Sequence, residues 1–217
     1  MAKRSKSSKQ WLDRQRKDDY VRRAVSEGYR SRASYKLLEI NERDQIFRPG
    51  MTVIDLGAAP GGWSQVAVEL VGKNFVIALD ILPIDPIEGV DIIQGDFKDA
   101  SVYDKLLKKL GTKKVGLVIS DMAPNFSGIS DIDVPRAVYL AEIALDFAQE
   151  VLVSGGCLLV KIFQGPGYTE YVKMLKEVFS TVAVRKPKAS RSESREVYLL
   201  GTGFRASGFK RKEVSLE

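Results

Sequence analysis

Three observations in this 217-residue chain predict an α/β fold: a mostly parallel seven-stranded sheet with helices on both faces and an antiparallel C-terminal hairpin. Short apolar runs recur at 52–56, 75–80, 90–94, 115–120, 156–163, 181–186 and 196–203, as expected of strands buried on both faces. Helix-length segments at 62–72, 101–110, 134–152 and 168–179 separate most of them, which is the pattern of βα units. The last two strand candidates are joined only by the loop Pro187–Arg195. A parallel connection needs a dozen or more residues, so these two pair antiparallel.

In chain order, residues 1–30 read as a basic tail leading into a helix, with Trp11, Leu12, Tyr20, Val21 and Val25 as apolar anchors. Ser31 is placed to cap a second helix over 31–42, with Tyr35, Leu38 and Glu42 at helical spacing. Pro49-Gly50 marks the turn into the first strand. From there strands and helices alternate without repeats or a second domain. The expected division is a basic segment 1–30 suited to contact a polyanion, a main domain 31–205 and a basic tail 206–217.

Hydrophobic residues make up 44% of the chain, enough for one domain with a full core. The formal charge of +6 is segregated. Lys and Arg crowd the first 32 residues, and a second cluster runs Arg185, Lys186, Lys188, Arg191, Arg195. Such segregation is the electrostatic footprint of a phosphate-bearing partner. The chain has no histidine and one cysteine, Cys157, which lies in an apolar run and reads as a core residue. Imidazole bases, Ser-His triads, a disulfide framework and a His- or thiolate-bound metal are thereby excluded, and no metal site is expected. Proton transfer falls to Lys, Asp, Glu, Tyr or Cys. No apolar stretch approaches a membrane span. The start lacks the apolar core of a secretory signal, and Asp13, Asp18 and Asp19 count against a mitochondrial presequence, so a cytoplasmic location is expected.

The most informative run is Val53-Ile54-Asp55-Leu56-Gly57-Ala58-Ala59-Pro60-Gly61-Gly62-Trp63. It joins a strand to a helix through small residues, whose backbone can approach a ligand and whose N–H groups face it at the helix start. No Lys-Ser/Thr follows Gly61-Gly62, so this is not a phosphate-cradling P-loop, and Gly57-Ala58-Ala59-Pro60 breaks the dinucleotide pattern. Asp-x-Gly-x-x-Pro-Gly-Gly resembles the first motif of methyltransferases that use S-adenosylmethionine. On that likeness Asp55, Gly57, Ala58, Pro60, Gly61, Gly62 and Trp63 bind the cofactor. Asp80, Asp96 and Asp121 follow successive strands, where α/β sheets hold their ligands. Asp80 suits ribose hydroxyls; Asp96 is placed to accept from an adenine amino group, with Phe97 or a neighbour stacking on the ring. An acidic floor also suits a cationic sulfonium.

Five segments then occur in order: Ser31–Leu37, Asp55–Trp63, Ser120–Asn125, Leu159–Gly165 and Ser192–Tyr198. Together they closely resemble the FtsJ family of ribose 2′-O-methyltransferases over roughly residues 11–205, most nearly its bacterial branch acting on large-subunit (23S) rRNA. The resemblance implies a Rossmann-like S-adenosylmethionine methyltransferase fold and a Lys-Asp-Lys-Glu tetrad at Lys36, Asp121, Lys161 and Glu196. It also implies a uridine of the peptidyl-transferase A-loop as target, within the large ribosomal subunit; a monomer is expected.

A ribose hydroxyl must be placed in line with the methyl group and must lose its proton as the new bond forms. Lys161, which follows the apolar strand Cys157–Val160, is the expected base. A lysine accepts a proton only when neutral. Burial and a second cation, Lys36, favour that form; Asp121 and Glu196 oppose it and suit an orienting role. Arg30, Arg32, Lys186, Lys188, Arg191 and Arg195 flank the mouth and are expected to hold RNA phosphates. Other readings keep the scaffold but change the substrate to tRNA or an mRNA cap, or drop catalysis for ribosome assembly. A small-molecule methyltransferase leaves the basic flanks unexplained, and a decayed enzyme would not be expected to retain all four groups.

Overall fold

The structure, a computed structural model, describes residues 18–96, 99–125 and 127–206. Seven strands are present: β1 (Thr52–Leu56), β2 (Val76–Asp80), β3 (Val90–Gln94), β4 (Val115–Ser120), β5 (Leu152–Phe163), β6 (Phe179–Arg185) and β7 (Glu196–Phe204). They form one sheet in the order β3-β2-β1-β4-β5-β7-β6. β1 to β5 pair in parallel, and β7 runs antiparallel to both β5 and β6. The chain builds outward from β1 to β3, then crosses to β4. The direction therefore reverses between β1 and β4, which puts the ligand crevice at their carboxyl ends.

Among the described residues there are six helices: α1 (Asp19–Glu27), α2 (Ala33–Asp44), α3 (Gly62–Val71), α4 (Ala100–Leu110), α5 (Ser130–Val151) and α6 (Tyr168–Val178). Because strand side chains alternate between faces, the sheet separates two cores. Ile54, Leu56, Val118, Leu158, Val160, Val197 and Leu199 pack on the side of α4, α5 and α6. Val53, Leu117, Ile119, Leu159, Tyr198 and Leu200 pack with Leu37, Ile40, Trp63 and Val66 of α2 and α3. Cys157 is half-buried on this second side. Truncating one of these fully buried leucines, such as Leu117→Ala, costs about 2–5 kcal/mol.

The same alternation places the chemistry. Asp55 shares its face with Val53, Lys161 with Leu159, and Glu196 with Tyr198 and Leu200. Asp121, one residue beyond β4, continues the row of Leu117 and Ile119. The α2/α3 side of the sheet thus ends, at its carboxyl edge, in a row of charged groups.

Four expectations need correction. Val25 is 77% exposed and anchors nothing; Ala24, at 2%, is the buried residue of α1, beside Tyr35 and Ala189. Ser31 does not cap α2, which starts at Ala33 with no side-chain cap, and Ser31 packs against Gly62 instead. Helix α5 starts at Ser130 rather than 134, because the Ile129 carbonyl accepts from the N–H groups of Ile132 and Asp133. Strand β5 starts at Leu152 rather than 156: Val115 pairs with Leu152 and Leu117 with Cys157, so 153–156 bulge out around Gly155 at φ +82°. Trp11, Leu12 and the tail after 206 lie outside the described residues.

Candidate active site

At the end of β1 the chain turns through Gly57, at φ +72°, to Gly61, at φ +110°, which opens α3; the Ala59–Pro60 peptide is cis. The N–H groups of Gly57 and Ala58 donate to the Leu79 carbonyl at 2.9 and 3.2 Å, tying the turn to β2. The small residues are needed for reasons the sequence did not suggest. A Cβ on Gly57 would collide with Met122, one on Gly61 with Ile87 and Arg30, and one on Gly62 with Ser31 and Ser34. The glycines therefore draw three other segments of the chain in around the mouth.

Asp55 is fully buried; its Oδ2 accepts from the Ser64 hydroxyl at 2.6 Å, and its Oδ1 has no partner among the described residues. Burial pushes the carboxyl up to about 7; the Ser64 bond opposes this, and the charges of Asp121 and Asp80 add to it. Asp80 accepts from the N–H of Ala59 and of Leu82, each at 2.8 Å, which fixes its carboxylate at the mouth with lone pairs to spare. Asp96 lies just past β3, and its carbonyl accepts from the Asp99 N–H at 2.9 Å. Phe97 lies outside the described residues. The Trp63 side chain does not face the mouth: it is 3% exposed, its indole N–H donates to the Ala33 carbonyl at 2.7 Å, and its ring packs 5.6 Å from Tyr198. What Trp63 offers a ligand is its backbone.

Lys36, Asp121, Lys161 and Glu196 are brought together. Lys36 Nζ donates to Glu196 Oε1 at 2.6 Å, with both side chains 12% exposed. Lys161 Nζ lies 3.0 Å from Asp121 Oδ1 and donates to the Asp121 carbonyl at 2.5 Å. Tyr198 joins the two pairs. Its hydroxyl donates to Asp121 Oδ1 at 2.7 Å, and Lys36 Nζ lies over its ring at 5.6 Å. Across β5 and β7, Lys161 sits opposite Tyr198 and Phe163 opposite Glu196.

Burial is the largest single influence on both carboxylates and acts upward, but the cations prevail. Lys161 and Lys36, with the Tyr198 bond, hold Asp121 below its ordinary value. Lys36 does the same for Glu196. Burial raises the Tyr198 phenol well above its usual range, and Asp121 and Glu196 raise it further. Tyr198 is therefore a fixed donor. Sequence reasoning gave it no role, although its position two residues after Glu196 on one strand put it on the same face.

The basic residues fall into two groups, those bonded to loop carbonyls and those at the exposed rim. Arg30 donates to the carbonyls of Pro60, Asp85 and Pro86 at 3.1, 2.7 and 2.9 Å. Arg32 pairs with the Asp18 carboxylate and the Ala189 carbonyl. Lys186 donates to the carbonyls of Ser194 and Glu196. These three cations brace loops through backbone carbonyls, and Lys186 is exposed as well. Lys188 and Arg195 are exposed, and Arg191 lies at the rim with Asp18 Oδ2 4.0 Å away. Among the described residues no helix is long and apolar enough to cross a membrane.

The family model of the FtsJ-like methyltransferases matches residues 29–204 of the chain. The chain belongs to that family. The FtsJ-like fold is shared with a ribosomal RNA methyltransferase of Plasmodium falciparum at a TM-score of 0.72 and 30% identity, covering 81% of this chain and 98% of that one. A Lactococcus lactis protein described as a hemolysin, 18% identical over 79% of this chain and 86% of its own, shares the fold alone at a TM-score of 0.53. The ribosomal RNA large subunit methyltransferase E of Cellvibrio japonicus is 57% identical over 93% of this chain and 96% of its own length. As an FtsJ-like methyltransferase the chain is an enzyme that requires a methyl donor.

Proposed function

We propose that this enzyme methylates a ribose 2′-hydroxyl of large-subunit rRNA, at a uridine of the A-loop in the assembled subunit, with S-adenosylmethionine as donor. One observation carries the reading: two lysine–carboxylate pairs joined through Tyr198 stand at the carboxyl edge of the sheet, directly beside the Asp55–Trp63 turn. The large-subunit rRNA named for the Cellvibrio relative supports the choice of substrate.

The residues of the mouth fit the donor. Asp55 Oδ1 is a buried acceptor without a partner among the described residues, Asp80 presents a braced carboxylate, and the start of α3 presents backbone N–H groups. S-adenosylmethionine, when bound, supplies an electrophilic methyl on a cationic sulfonium, and that positive charge favours the neutral form of a neighbouring lysine.

The proton has few places to go. Asp121 and Glu196 are held below their ordinary values and are poor acceptors, while Tyr198 keeps its proton. Both lysines are ion-paired, Lys36 with Glu196 and Lys161 with Asp121. Lys161, on β5, stands nearer in the sheet to the turn after β1 than does Glu196 on β7, and is assigned as the general base. Lys36 and Glu196 hold the hydroxyl and its neighbouring sugar atoms.

The test is incubation of the pure protein with labelled S-adenosylmethionine and, separately, large ribosomal subunits, free rRNA, tRNA and capped mRNA, followed by mapping of the modified ribose. Label at a single A-loop uridine is expected. Label confined to tRNA or caps, or none in any RNA, overturns the reading.

A further inference from the structure

A third basic cluster lies away from the site, on α4 and the connection after it. Residues 105–114 hold five lysines, Lys105, Lys108, Lys109, Lys113 and Lys114, and no acid. Val102, Leu106 and Leu110 of α4 are buried at four-residue spacing, the stripe that seats the helix on the core. Lys105, Lys108 and Lys109, at i, i+3 and i+4, share another flank, and all five lysines are exposed.

Helix α4 follows β3 and leads into β4, so its last turn and residues 111–114 stand at the amino ends of the parallel strands. The connection into β2 reaches the same edge, where Lys113 Nζ donates to the Asn74 carbonyl at 2.8 Å, and it brings exposed Lys73 there too. The Asp55–Trp63 turn and the charged row occupy the opposite edge. The six residues of β4, at about 3.3 Å each, set the two edges roughly 20 Å apart.

Charge balance sets this patch apart. Lys73 pairs with Glu88 and Lys109 with Asp91, each at 2.5 Å, and both pairs are solvated enough for a phosphate to replace the carboxylate. Lys105, Lys108, Lys113 and Lys114 pair with no carboxylate among the described residues, whereas Arg22, Arg23, Arg32 and Arg185 all do. The negative end of a helix welcomes cations in its last turn, which accounts for Lys108 and Lys109. It does not account for Lys105 before that turn or for Lys113 and Lys114 beyond the helix.

We infer that this patch is a second rRNA contact, which holds the phosphate backbone of folded rRNA at a place other than the target loop. The inference rests on the proposed rRNA substrate, a ribosomal subunit being large enough to reach both edges of the enzyme. Phosphate contacts fix register and orientation without reading sequence. The patch therefore orients the enzyme on the subunit, while the site at the other edge selects the ribose.

The experiment compares the full wild-type chain with the triple variant Lys105→Gln/Lys108→Gln/Lys114→Gln and with the matching triple change to arginine. Binding to isolated large ribosomal subunits and to a short A-loop hairpin is measured across a range of salt, with KM and kcat on subunits and donor affinity by calorimetry. The glutamine triple should bind subunits about tenfold more weakly, raise KM by a like factor at unchanged kcat, and lower the magnitude of the salt slope by about two to three. Its affinities for hairpin and donor should stay within about twofold of wild type, because exposed substitutions disturb the fold little. The arginine triple keeps the charges and should match wild type throughout. Unchanged subunit binding in the glutamine triple overturns the inference, and so does an equal loss on the hairpin, which would reflect net charge alone. If the glutamine triple loses donor affinity, its fold is damaged and Lys114→Gln decides: an unaltered salt slope refutes the contact. A wild type that shows the binding difference but methylates no RNA removes the proposed function and leaves the contact standing.

Discussion

Asp55→Asn should change how the protein's stability responds to pH. In the fold the Asp55 carboxyl is pushed up to about 7 from an ordinary 3.8, with burial as the main cause. An acid raised on folding is most stabilising while it is protonated. Between about pH 4 and about pH 7 the folded chain binds one more proton than the unfolded one, so stability falls as pH rises across that window. The slope is about 1.4 kcal/mol per pH unit and the total about 4 kcal/mol, levelling off above pH 7. Asparagine cannot titrate. It can keep the Ser64 bond through its oxygen, but its amide nitrogen has no acceptor there, at a constant cost of about 1–3 kcal/mol.

The two curves should therefore cross between about pH 4.5 and 6, where the loss in wild type equals the constant cost of the amide, and at pH 8 the variant should be the more stable by about 1–3 kcal/mol. The window is unusually clean, because the chain has no histidine to titrate in it. Asp121 and Glu196, held below their ordinary values, ionise below it. Asp146, raised by burial and by Glu150, titrates alike in both proteins and drops out of the difference. Urea unfolding at half-unit steps from pH 5 to 8.5 measures both curves. A constant offset between them would refute the buried, proton-binding Asp55 described above.

Lys161→Ala should lose nearly all methyl transfer while calorimetry shows donor affinity within about twofold of wild type, since removing a general base acts on the transition state. Arg30→Ala removes three partly solvated, charge-assisted bonds to the Pro60, Asp85 and Pro86 carbonyls. A net loss of about 1–2 kcal/mol corresponds to a roughly 5- to 30-fold weaker donor affinity with RNA affinity unchanged, checked by two separate titrations. Removing residues 1–17 deletes seven basic side chains (Lys3, Arg4, Lys6, Lys9, Arg14, Arg16, Lys17) but keeps the Asp18 cap of α1. RNA affinity should fall and lose part of its salt dependence, with the melting temperature unmoved; removal through residue 30 should lower the melting temperature as well, because it takes away α1 and the Arg30 clasp.

Strands β1 to β4 were readable from their apolar runs almost to the residue, and the final hairpin from the shortness of Pro187–Arg195. The two poorly placed boundaries, at Leu152 and Ser130, depend on non-local events: a bulge against β4 and a carbonyl at Ile129 that accepts two N–H groups. The site divided in the same way. Lys36, Asp121, Lys161 and Glu196 could be picked out from chemistry and likeness, and the structure joins them as two ion pairs. The fate of the arginines could not be foreseen, because whether a cation faces solvent or braces a carbonyl depends on which loop the fold brings beside it. Arg30 meets residues 55 and 56 positions away, and Arg32 meets one 157 away.

Strand β7 follows every other strand along the chain, yet it lies between β5 and β6. The sheet therefore keeps a gap until its latest segment is threaded into place. That segment supplies Glu196 to Lys36 and Tyr198 to both Asp121 and the Trp63 ring. A nascent chain halted before residue 196 has two open strand edges, a solitary Lys36 and an incomplete second core. Competence for chemistry and completion of the sheet are thus a single event, so unfinished copies have no working site with which to reach an RNA hydroxyl.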